Sequence, residues 1–377
     1  MSKFLTKCKE KYLALRGFHT KRRLVVIESD DWGSIRMPSA EVFNKLQKSG
    51  DYPEKDAFLR NDCLENEADL TSLFEVLQSA KDSKGMSAVM TANFAMANPD
   101  FDKINCSGNT YAYEPFYETY RKYYSGQDVL SCVKSGMESL CFVPQLHCRE
   151  HMNINRWMAD LKRKKKDTVT AFQNRMIGIG ESFSPENPFG YMDAFNANFT
   201  SDSELANILR EAMDIFENTF GKKSETFVAS CFVWNDELEK TLAEIGVLGI
   251  QSACWQNVPC GTNGSNTLKR RIRYSGQKNR FGHVYSVRNC AYEPAYLQNP
   301  SESAKTCLKQ VFHAFKEHKP AVINSHRFNY IGSINPDNAS ENLKGLSWLL
   351  REITDNVSDV EFISSAELIE IMNQVKK

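Results

Sequence analysis

Two adjacent carboxylates follow an apolar run near the start of the chain. In the segment RRLVVIESDDWGSIRMPS (22–39), aliphatic residues lead directly to Asp30 and Asp31. Neighbouring like charges raise each other's pKa and repel, so a strand that ends in such a pair calls for a physical reason. A solvated strand end or the start of a helix are simple explanations. A catalytic site is the third, because a bound cation would neutralise one carboxylate and leave the other ionised beside an activated water.

Three of the seven histidines also stand out by position. In FVPQLHCREHMN, His147 ends an apolar run and His151 follows four residues later, where helical periodicity begins. The two rings are therefore expected to project toward the same point, as paired metal-binding histidines do, although an isolated HxxxH pattern is common by chance. His326 ends another apolar run, in KPAVINSHRFNY.

The elements that must position these residues alternate along the chain. Short runs rich in Val, Ile and Phe predict strands at 24–30, 86–93, 141–147, 226–232, 249–254, 283–287, 321–325 and 360–364. Helical periodicity predicts helices at 65–80, 153–166, 202–220, 235–245, 303–319 and 340–354. Such alternation implies parallel pairing through right-handed crossovers. We predict an α/β fold, a deformed (β/α) barrel of seven or eight parallel strands. A doubly wound open sheet is the alternative, but no GxGxxG motif follows any of these strands.

In a parallel barrel the C-terminal ends of the strands face one rim, where active sites are built. The two aspartates, His147 and His326 would share that rim although they come from three separate strands. Two histidines and one carboxylate, with a fourth position open, form a ligand set for catalytic zinc or a related divalent ion. The second aspartate could act as general base, and a histidine across the substrate could protonate the leaving group. This combination predicts metal-assisted hydrolysis of an acyl bond.

Composition narrows the class of protein. The chain has 377 residues, of which 41% are hydrophobic and 25% charged, and its 47 Lys and Arg balance 47 Asp and Glu. These values are typical of a globular protein and argue against a nucleic-acid partner. The expected partner, a small-molecule or oligosaccharide substrate, follows from the motifs rather than from the composition. We find no signal sequence, no membrane-spanning stretch and no CxxC pair among the eleven cysteines, which predicts a cytoplasmic location. Nothing in the sequence sets the oligomeric state.

The N-terminal segment differs from the rest of the chain. Eight of its first 23 residues are Lys or Arg, and apolar residues recur at roughly helical spacing. We predict a basic amphipathic helix over residues 1–20, followed by a single domain over 21–377. Packing of this helix on the domain is favoured, and weak contact with an anionic membrane surface is the alternative. Two long aromatic-rich intervals, near 98–140 and 167–199, are predicted to be loop insertions.

These motifs resemble those of the polysaccharide deacetylases of the NodB-homology type, which comprise carbohydrate esterase family 4 and its relatives. That family carries T-F-D-D at the end of an early strand, H-[ST]-x-x-H later, and a Leu-His pair at the end of a late strand, on a deformed (β/α) barrel. The counterparts here are Ser29-Asp30-Asp31, His147-Cys148-Arg149-Glu150-His151 and Ser325-His326. The order and strand context agree from about residue 21 to about residue 368.

The resemblance implies a role for each matched residue. Asp30 would be the catalytic base and His326 the catalytic acid. A divalent metal, most often zinc, would be held by Asp31, His147 and His151. The implied activity is removal of an acyl group, such as acetyl, from an N- or O-acylated sugar or a related amide.

The departures from the family pattern are specific. Trp32 stands between Asp31 and Gly33, where the family usually has glycine directly after the second aspartate. The family's arginine motif would fall near ASCFVWNDELEK, which contains no arginine. Four arginines remain candidates for orienting the catalytic base, and the sequence does not choose among them: Arg36, Arg149, Arg288 and Arg327.

Further residues near the predicted rim are candidates for substrate binding: Trp32, Asn93, Arg149, Trp234 and Arg327. Trp234 is equally compatible with core packing. Two other functions stay open at this point. One is a degenerate barrel that binds carbohydrate without turnover, which the missing arginine motif would explain. The other is a metal-free glycosidase, although adjacent carboxylates fit poorly because such enzymes separate theirs by about 5 Å or more.

Overall fold

The strands supply the framework of the fold. The structure is a computed structural model that describes residues 16–50, 56–108, 110–179, 189–261 and 264–374. Its strands are β1 (Arg23–Trp32), β2 (Met90–Ala95), β3 (Ala97–Pro99), β4 (Tyr113–Pro115), β5 (Phe142–Cys148), β6 (Thr226–Val228), β7 (Gly249–Ser252), β8 (Trp255–Pro259), β9 (Leu268–Ile272), β10 (Val284–Val287), β11 (Cys290–Ala291), β12 (Ala321–His326) and β13 (Val360–Phe362).

Helices connect most of these strands. They are α1 (Ala40–Ser49), α2 (Ala57–Asn61), α3 (Glu67–Ser79), α4 (Phe101–Cys106), α5 (Phe116–Tyr123), α6 (Val129–Glu138), α7 (Ile154–Lys162), α8 (Lys166–Gln173), α9 (Asp202–Phe220), α10 (Asp236–Glu244), α11 (Pro294–Leu297), α12 (Pro300–Lys316), α13 (Pro336–Asn356) and α14 (Ser365–Gln374). Within the described ranges, no helix has both the length and the apolar character needed to cross a bilayer.

One parallel sheet organises the domain. Its strands run in the order β10-β7-β6-β5-β2-β1-β12-β11, and every neighbouring pair is parallel. Strand β13 pairs in parallel with the first residues of β1. Because Val25 pairs with Ala321 of β12 and also with Phe362, β13 must use the edge of β1 that faces away from β12. All eight predicted strands lie in this sheet, so the predicted deformed (β/α) barrel is confirmed.

The two ends of the sheet are consecutive along the chain. Only Arg288 and Asn289 separate β10, at one end, from β11, at the other. The backbone N–H of Arg288 donates to Ser252 O on β7 at 2.9 Å, and that of Asn289 donates to Val322 O on β12 at 3.1 Å. The sheet therefore curls until its ends meet at this two-residue link. We call the link, Arg288 and Asn289, the seam of the barrel.

Alternation along β1 separates two apolar clusters. Val25 and Ile27 belong to the main hydrophobic core, which helices such as α3 and α13 cover. Leu24 and Val26 belong to a second cluster, together with residues of β10, β12 and α14. Successive side chains of a strand face opposite sides of its sheet, so this second cluster fills the interior of the barrel at the N-terminal ends of its strands.

The barrel interior becomes polar toward the C-terminal ends of the strands. Asn93, Thr226 and Gln251 are fully buried and come from β2, β6 and β7. Gln251 Nε2 donates to Asn93 Oδ1 at 2.9 Å and lies 3.0 Å from Thr226 Oγ1. Buried polar groups need such partners. The network forms a layer of hydrogen-bonded side chains on which the charged groups at the rim can rest.

Two predictions about the periphery differ from the structure. Residues 1–15 of the predicted N-terminal helix lie outside the described residues, and residues 16–20 form no helix. There, the backbone N–H of Phe18 donates to Ser275 O and that of Thr20 to His318 O, at 2.7 and 2.8 Å. The described part of the interval 98–140 is largely helical rather than a loop. In the interval 167–199, residues 167–173 lie in α8, residues 174–179 and 189–199 form no helix or strand, and 180–188 lie outside the described residues. The aromatic residues of the interval 98–140, such as Phe116 and Tyr120, are buried on helix faces. The aromatic content of this interval therefore reflects packing in the core.

Gly249 provides a test of the packing between the barrel and α14. A Cβ at Gly249 would lie 2.3 Å from Cγ1 of Ile369. We expect Gly249→Ala to lower the free energy of unfolding by about 1–3 kcal/mol through overpacking, measured by urea denaturation. In an Ile369→Ala background the added methyl has room, so the loss should shrink. Additivity of the two changes within about 0.5 kcal/mol would contradict this packing.

Candidate metal centre

A β-bulge allows the two adjacent aspartates to serve one site. Ser29 pairs with Ala92 of β2 and Trp32 pairs with Phe94, so two residues of β1 stand opposite one residue of β2. Asp31 has φ = 77°, which lies in the left-handed region that residues other than glycine seldom adopt. In a regular strand, neighbouring side chains point to opposite faces, and a bulge redirects one of them. Both carboxylates are thereby available at the same rim of the barrel.

The same bulge explains Trp32. Its ring packs edge-on against Phe142, with centroids 5.0 Å apart, and also contacts Phe94. The indole N–H donates to Ser29 Oγ at 3.0 Å, and the residue is 1% exposed. Trp32 is therefore part of the core between sheet and helices, which corrects its prediction as a substrate-binding residue.

Asp31, His147 and His151 form the centre of the site. Asp31 Oδ1 lies 3.4 Å from His147 Nε2 and 3.1 Å from His151 Nε2. The other oxygen, Oδ2, accepts a hydrogen bond from Arg36 Nη2 at 3.2 Å. Because Arg36 occupies Oδ2, only Oδ1 faces the two imidazoles. The structure thus brings together the three residues that the sequence predicted as metal ligands.

The chemistry of these donors fits a metal ion. His147 Nδ1 lies 2.8 Å from the Val228 carbonyl oxygen, which can only accept, so Nδ1 carries the proton and Nε2 presents a lone pair. That lone pair faces a carboxylate oxygen, and a cation between them would relieve the repulsion. Tetrahedral zinc with ligand distances near 2.0–2.1 Å holds its ligand atoms about 3.3 Å apart, close to the observed separations. All three ligand atoms lie within 4.8 Å of one another.

Burial sets the protonation of this centre. Burial lowers the pKa of His151 to about 4, although Asp31 opposes the change. The neutral imidazole is the form that binds metals. Burial alone would raise the pKa of Asp31, but His151 and Arg36 outweigh it and hold that pKa well below its usual range. At neutral pH the centre therefore presents one carboxylate and a neutral His151.

Asp30 is held by an arginine from the seam of the barrel. Arg288 Nη1 donates to Asp30 Oδ2 and Nη2 to Oδ1, both at 2.7 Å, and Asn93 Nδ2 also donates to Oδ1 at 2.7 Å. Burial raises the pKa of Asp30, but the Arg288 guanidinium more than offsets it and keeps that carboxyl ionised. Among the four candidate arginines, the structure selects Arg288. A strand-end signal existed in the sequence, since Arg288 directly follows β10.

His326 faces Asp30 from β12. Its Nε2 lies 4.0 Å from Asp30 Oδ2, and its Nδ1–H donates to Glu293 Oε1 at 2.5 Å. Although burial lowers it, the negative charge of Glu293 raises the pKa of His326 to about 9. Asn324 and Asn329 each donate to Glu293 at 2.7 Å and hold it in place. Sequence reasoning missed Glu293, which follows β11, a strand of two residues that is too short to recognise from its pattern.

Three other predicted substrate-binding residues lie elsewhere. Arg149 donates to Glu150 at 2.8 Å and stacks on Tyr113. Arg327 is fully buried, and its guanidinium binds Asp62 and Glu65. These two arginines stabilise the surrounding structure, which corrects their assignment to substrate.

Trp234 likewise belongs to the core. Its indole N–H donates to Glu239 Oε1 at 2.9 Å, and the residue is 0% exposed. Of the five predicted substrate-binding residues, only Asn93 reaches the site, where it contacts Asp30 rather than open solvent.

Metal retention tests the assignment of the two aspartates. Asp31→Ala or His147→Ala should abolish retention of zinc, because a site of three protein ligands that loses one rarely holds a divalent ion. Asp30→Asn is the matched control and should retain it, since Asp30 is bound by Arg288 instead. The measurement is metal content after zinc loading and desalting. Release of zinc by Asp30→Asn together with retention by Asp31→Ala would show that the two roles are reversed.

Comparison with known proteins gives matches at the level of structure. No protein-family model matches the chain. No curated protein matches it either. Among solved structures, the chain is similar to the peptidoglycan deacetylase PdaC from Bacillus subtilis, with 10% identity, a TM-score of 0.39, and coverage of 94% of this chain and 93% of the other. It is also similar to the PuuE allantoinase, with 8% identity, a TM-score of 0.47, and coverage of 94% and 93%.

A third similar structure is a CE4 family pseudoenzyme from Bacillus anthracis. The identity is 10% and the TM-score 0.41, and the match covers 93% of this chain and 66% of the other. At these identities and scores, the likeness says nothing about the reaction of this chain. The similar structures, all at low identity, thus include a peptidoglycan deacetylase and a protein described as a member of family CE4.

Proposed function

We propose that this protein is a metal-dependent hydrolase that removes an acyl group, such as acetyl, from an N- or O-acylated sugar or a related amide. One observation carries the proposal. An ionised carboxylate, Asp30, is adjacent in the chain to Asp31 of a cluster of metal-ligand type, and lies 4.0 Å from a histidine that is protonated at neutral pH. In paired proton-transfer residues, the environments of the base and the acid are expected to drive their pKa values apart, as they do here.

Each residue has a defined task in this proposal. Asp31, His147 and His151 would hold the ion, for which we propose zinc on the basis of the ligand types and spacing. When bound, such an ion polarises the acyl carbonyl and lowers the pKa of a water molecule. Asp30 takes a proton from the attacking water. His326 donates a proton to the departing amine or alcohol.

The surroundings of His326 indicate where the substrate enters. The side chain of His326 is 22% exposed, whereas those of Asp30, Asp31, His147 and His151 are at most 6% exposed. Phe58 packs edge-on to the His326 ring at 5.5 Å, and Tyr296, which is 50% exposed, packs against Phe58 at 5.6 Å. The leaving group would therefore meet aromatic rings. Both rings offer a flat apolar face, and the Tyr296 hydroxyl adds a hydrogen-bonding group, a combination that suits a sugar.

Two other functions are less well supported. A metal-free glycosidase requires two carboxylates on opposite sides of the bond, but Asp31 lies between two imidazoles and Arg36, with no room to act as a nucleophile. A carbohydrate-binding barrel without turnover was suggested by the missing arginine motif. Arg288 fills that role in the geometry, so the reason for that hypothesis is weakened. The cytoplasmic location, the absence of a nucleic-acid partner and weak membrane contact stay predictions.

An activity screen tests the proposal directly. The zinc-loaded protein should release acetate from one or more members of a panel of N- and O-acetylated sugars and lipid-linked precursors. Asp30→Asn should retain zinc and lose at least about 100-fold in kcat, since it removes the general base. Full zinc occupancy without acetate release from any member of the panel would favour the binding-module alternative.

The pH dependence tests the pair of His326 and Glu293. Activity requires protonated His326, which is the form present below its pKa, so kcat/KM should fall as the pH rises through about 9. Glu293→Gln removes the carboxylate that raises this pKa, and the alkaline limb should move to lower pH by about 1–3 units. Glu302→Gln, at an exposed position of α12, serves as the control and should leave the profile unchanged. An unmoved limb in Glu293→Gln would exclude His326 as the acid.

A further inference from the structure

Glu28 is a buried carboxylate that the proposed reaction does not use. It lies on β1 two residues before Asp30 and is 0% exposed. Its Oε2 accepts a hydrogen bond from Arg288 Nε at 2.6 Å. Its Oε1 accepts from the hydroxyl of Ser365, at the start of α14, at 2.9 Å. Glu28 therefore connects the start of α14 to the arginine that holds Asp30.

The guanidinium of Arg288 is shared between two carboxylates. Its Nε edge faces Glu28, and its two Nη groups face the two oxygens of Asp30. The planar fork of an arginine can present two edges at once because the positions of its N–H groups are rigidly related. Holding one edge therefore sets the orientation of the other.

Charge balance alone does not account for Glu28. One arginine and one aspartate already form a neutral pair, and Asp30 makes two hydrogen bonds to Arg288. A second buried carboxylate adds a desolvation penalty that this neutral pair does not need. What Glu28 does supply is a fixed acceptor for Nε, on the side of the guanidinium that faces away from Asp30.

The position of Arg288 makes such an acceptor necessary. The residue lies in the two-residue link at which the ends of the sheet meet, so its backbone is not inside a continuous strand. Its long side chain must cross the interior of the barrel to reach β1, and each rotatable bond adds freedom that has to be removed. Glu28 removes part of that freedom, since it is anchored both by β1 and by Ser365.

We propose that Glu28 is a positioning residue that acts through Arg288 to align Asp30 for proton abstraction. This inference rests on the proposed function, since Asp30 is the general base of that reaction. It assigns a task to β1 beyond the two aspartates: the same strand carries the base and, two residues earlier, the group that orients the arginine holding it.

The test compares two substitutions of Glu28 in the zinc-loaded protein. Glu28→Met has similar length but offers no oxygen to Arg288, so kcat should fall by about 10- to 100-fold while KM and zinc content stay unchanged. Glu28→Gln keeps an oxygen acceptor for Nε and should retain kcat within about threefold, as a geometric role requires. A wild-type kcat in Glu28→Met, or an equal loss in both variants, would overturn the proposal.

Glu239 is the matched control for general damage to the fold. Its side chain also forms a buried pair with an arginine, Arg273, at 3.1 Å, but away from the site. Glu239→Met should reduce stability in the same way as Glu28→Met without lowering the kcat of the folded, zinc-loaded protein. An equal loss of kcat in Glu239→Met would reduce the role of Glu28 to stability.

Two further measurements separate this proposal from the proposed function. In an Arg288→Lys background, Glu28→Met should cause little additional loss, because residues that act through one another are not additive. A crystal structure of Glu28→Met should show that at least one Nη–Asp30 hydrogen bond is lost. That measurement needs no activity, so it decides the role of Glu28 even if no hydrolysis is found.

If Glu28→Met does not fold, Ser365→Ala provides a second test, since it removes only the hydroxyl that donates to Oε1. Ser365→Ala should lower kcat less than tenfold, and a kcat at the wild-type level would count against the proposal.

Discussion

Two neighbouring carboxylates at the end of one buried strand are the constraint on which the rest of the site depends. They repel each other, and burial makes the charge on each harder to sustain. The structure separates them by a bulge and gives each its own cation: Arg288 binds Asp30, and Arg36 binds one oxygen of Asp31. The free oxygen of Asp31 then faces two imidazoles, which leaves the arrangement ready for a metal ion.

Asp30 and His326 carry opposite charges because their neighbours differ. Asp30 and His326 are adjacent across β1 and β12, where their Cα positions pair in register. A guanidinium beside Asp30 keeps it ionised, and a carboxylate beside His326 keeps it protonated. Since Arg288 and Glu293 flank the short strand β11, one segment at the seam of the barrel supplies both of the groups that establish this difference.

A layer of buried polar side chains supports these charges from below. Glu28, Asn93 and Gln251 all contact Arg288, Asp30 or each other within the barrel. Such an interior contributes less hydrophobic stabilisation than an apolar one, and the apolar cluster around Leu24 and Val26 is confined to the opposite end. The barrel is thus divided along its axis. The apolar end contributes to stability, and the polar end holds the charged groups of the candidate site in position.

Eight of the nine strands of the parallel sheet and the five central site residues could be predicted from the sequence. Strand periodicity is local, and Asp30, Asp31, His147, His151 and His326 each lie at or next to a strand end, which the parallel topology gathers at one rim. The sequence-based prediction failed for residues whose role depends on whether their side chains are exposed to solvent. Trp32 and Trp234 were predicted at the rim, yet both are buried, and the aromatic interval 98–140, predicted as a loop insertion, is largely helical with buried faces.

The partners of the residues in the candidate site were decided only by the tertiary structure. Arg288 was one of four candidates, and its choice depends on the curling of the sheet that brings β10 and β11 beside β1 and β12. Glu293 and Glu28 had no sequence signal, because a contact between distant segments leaves no periodicity in either. The sequence by itself determined which groups can do chemistry and on which rim they lie. The folded barrel decided their charges, because pKa values depend on burial and on neighbours that only the fold brings together.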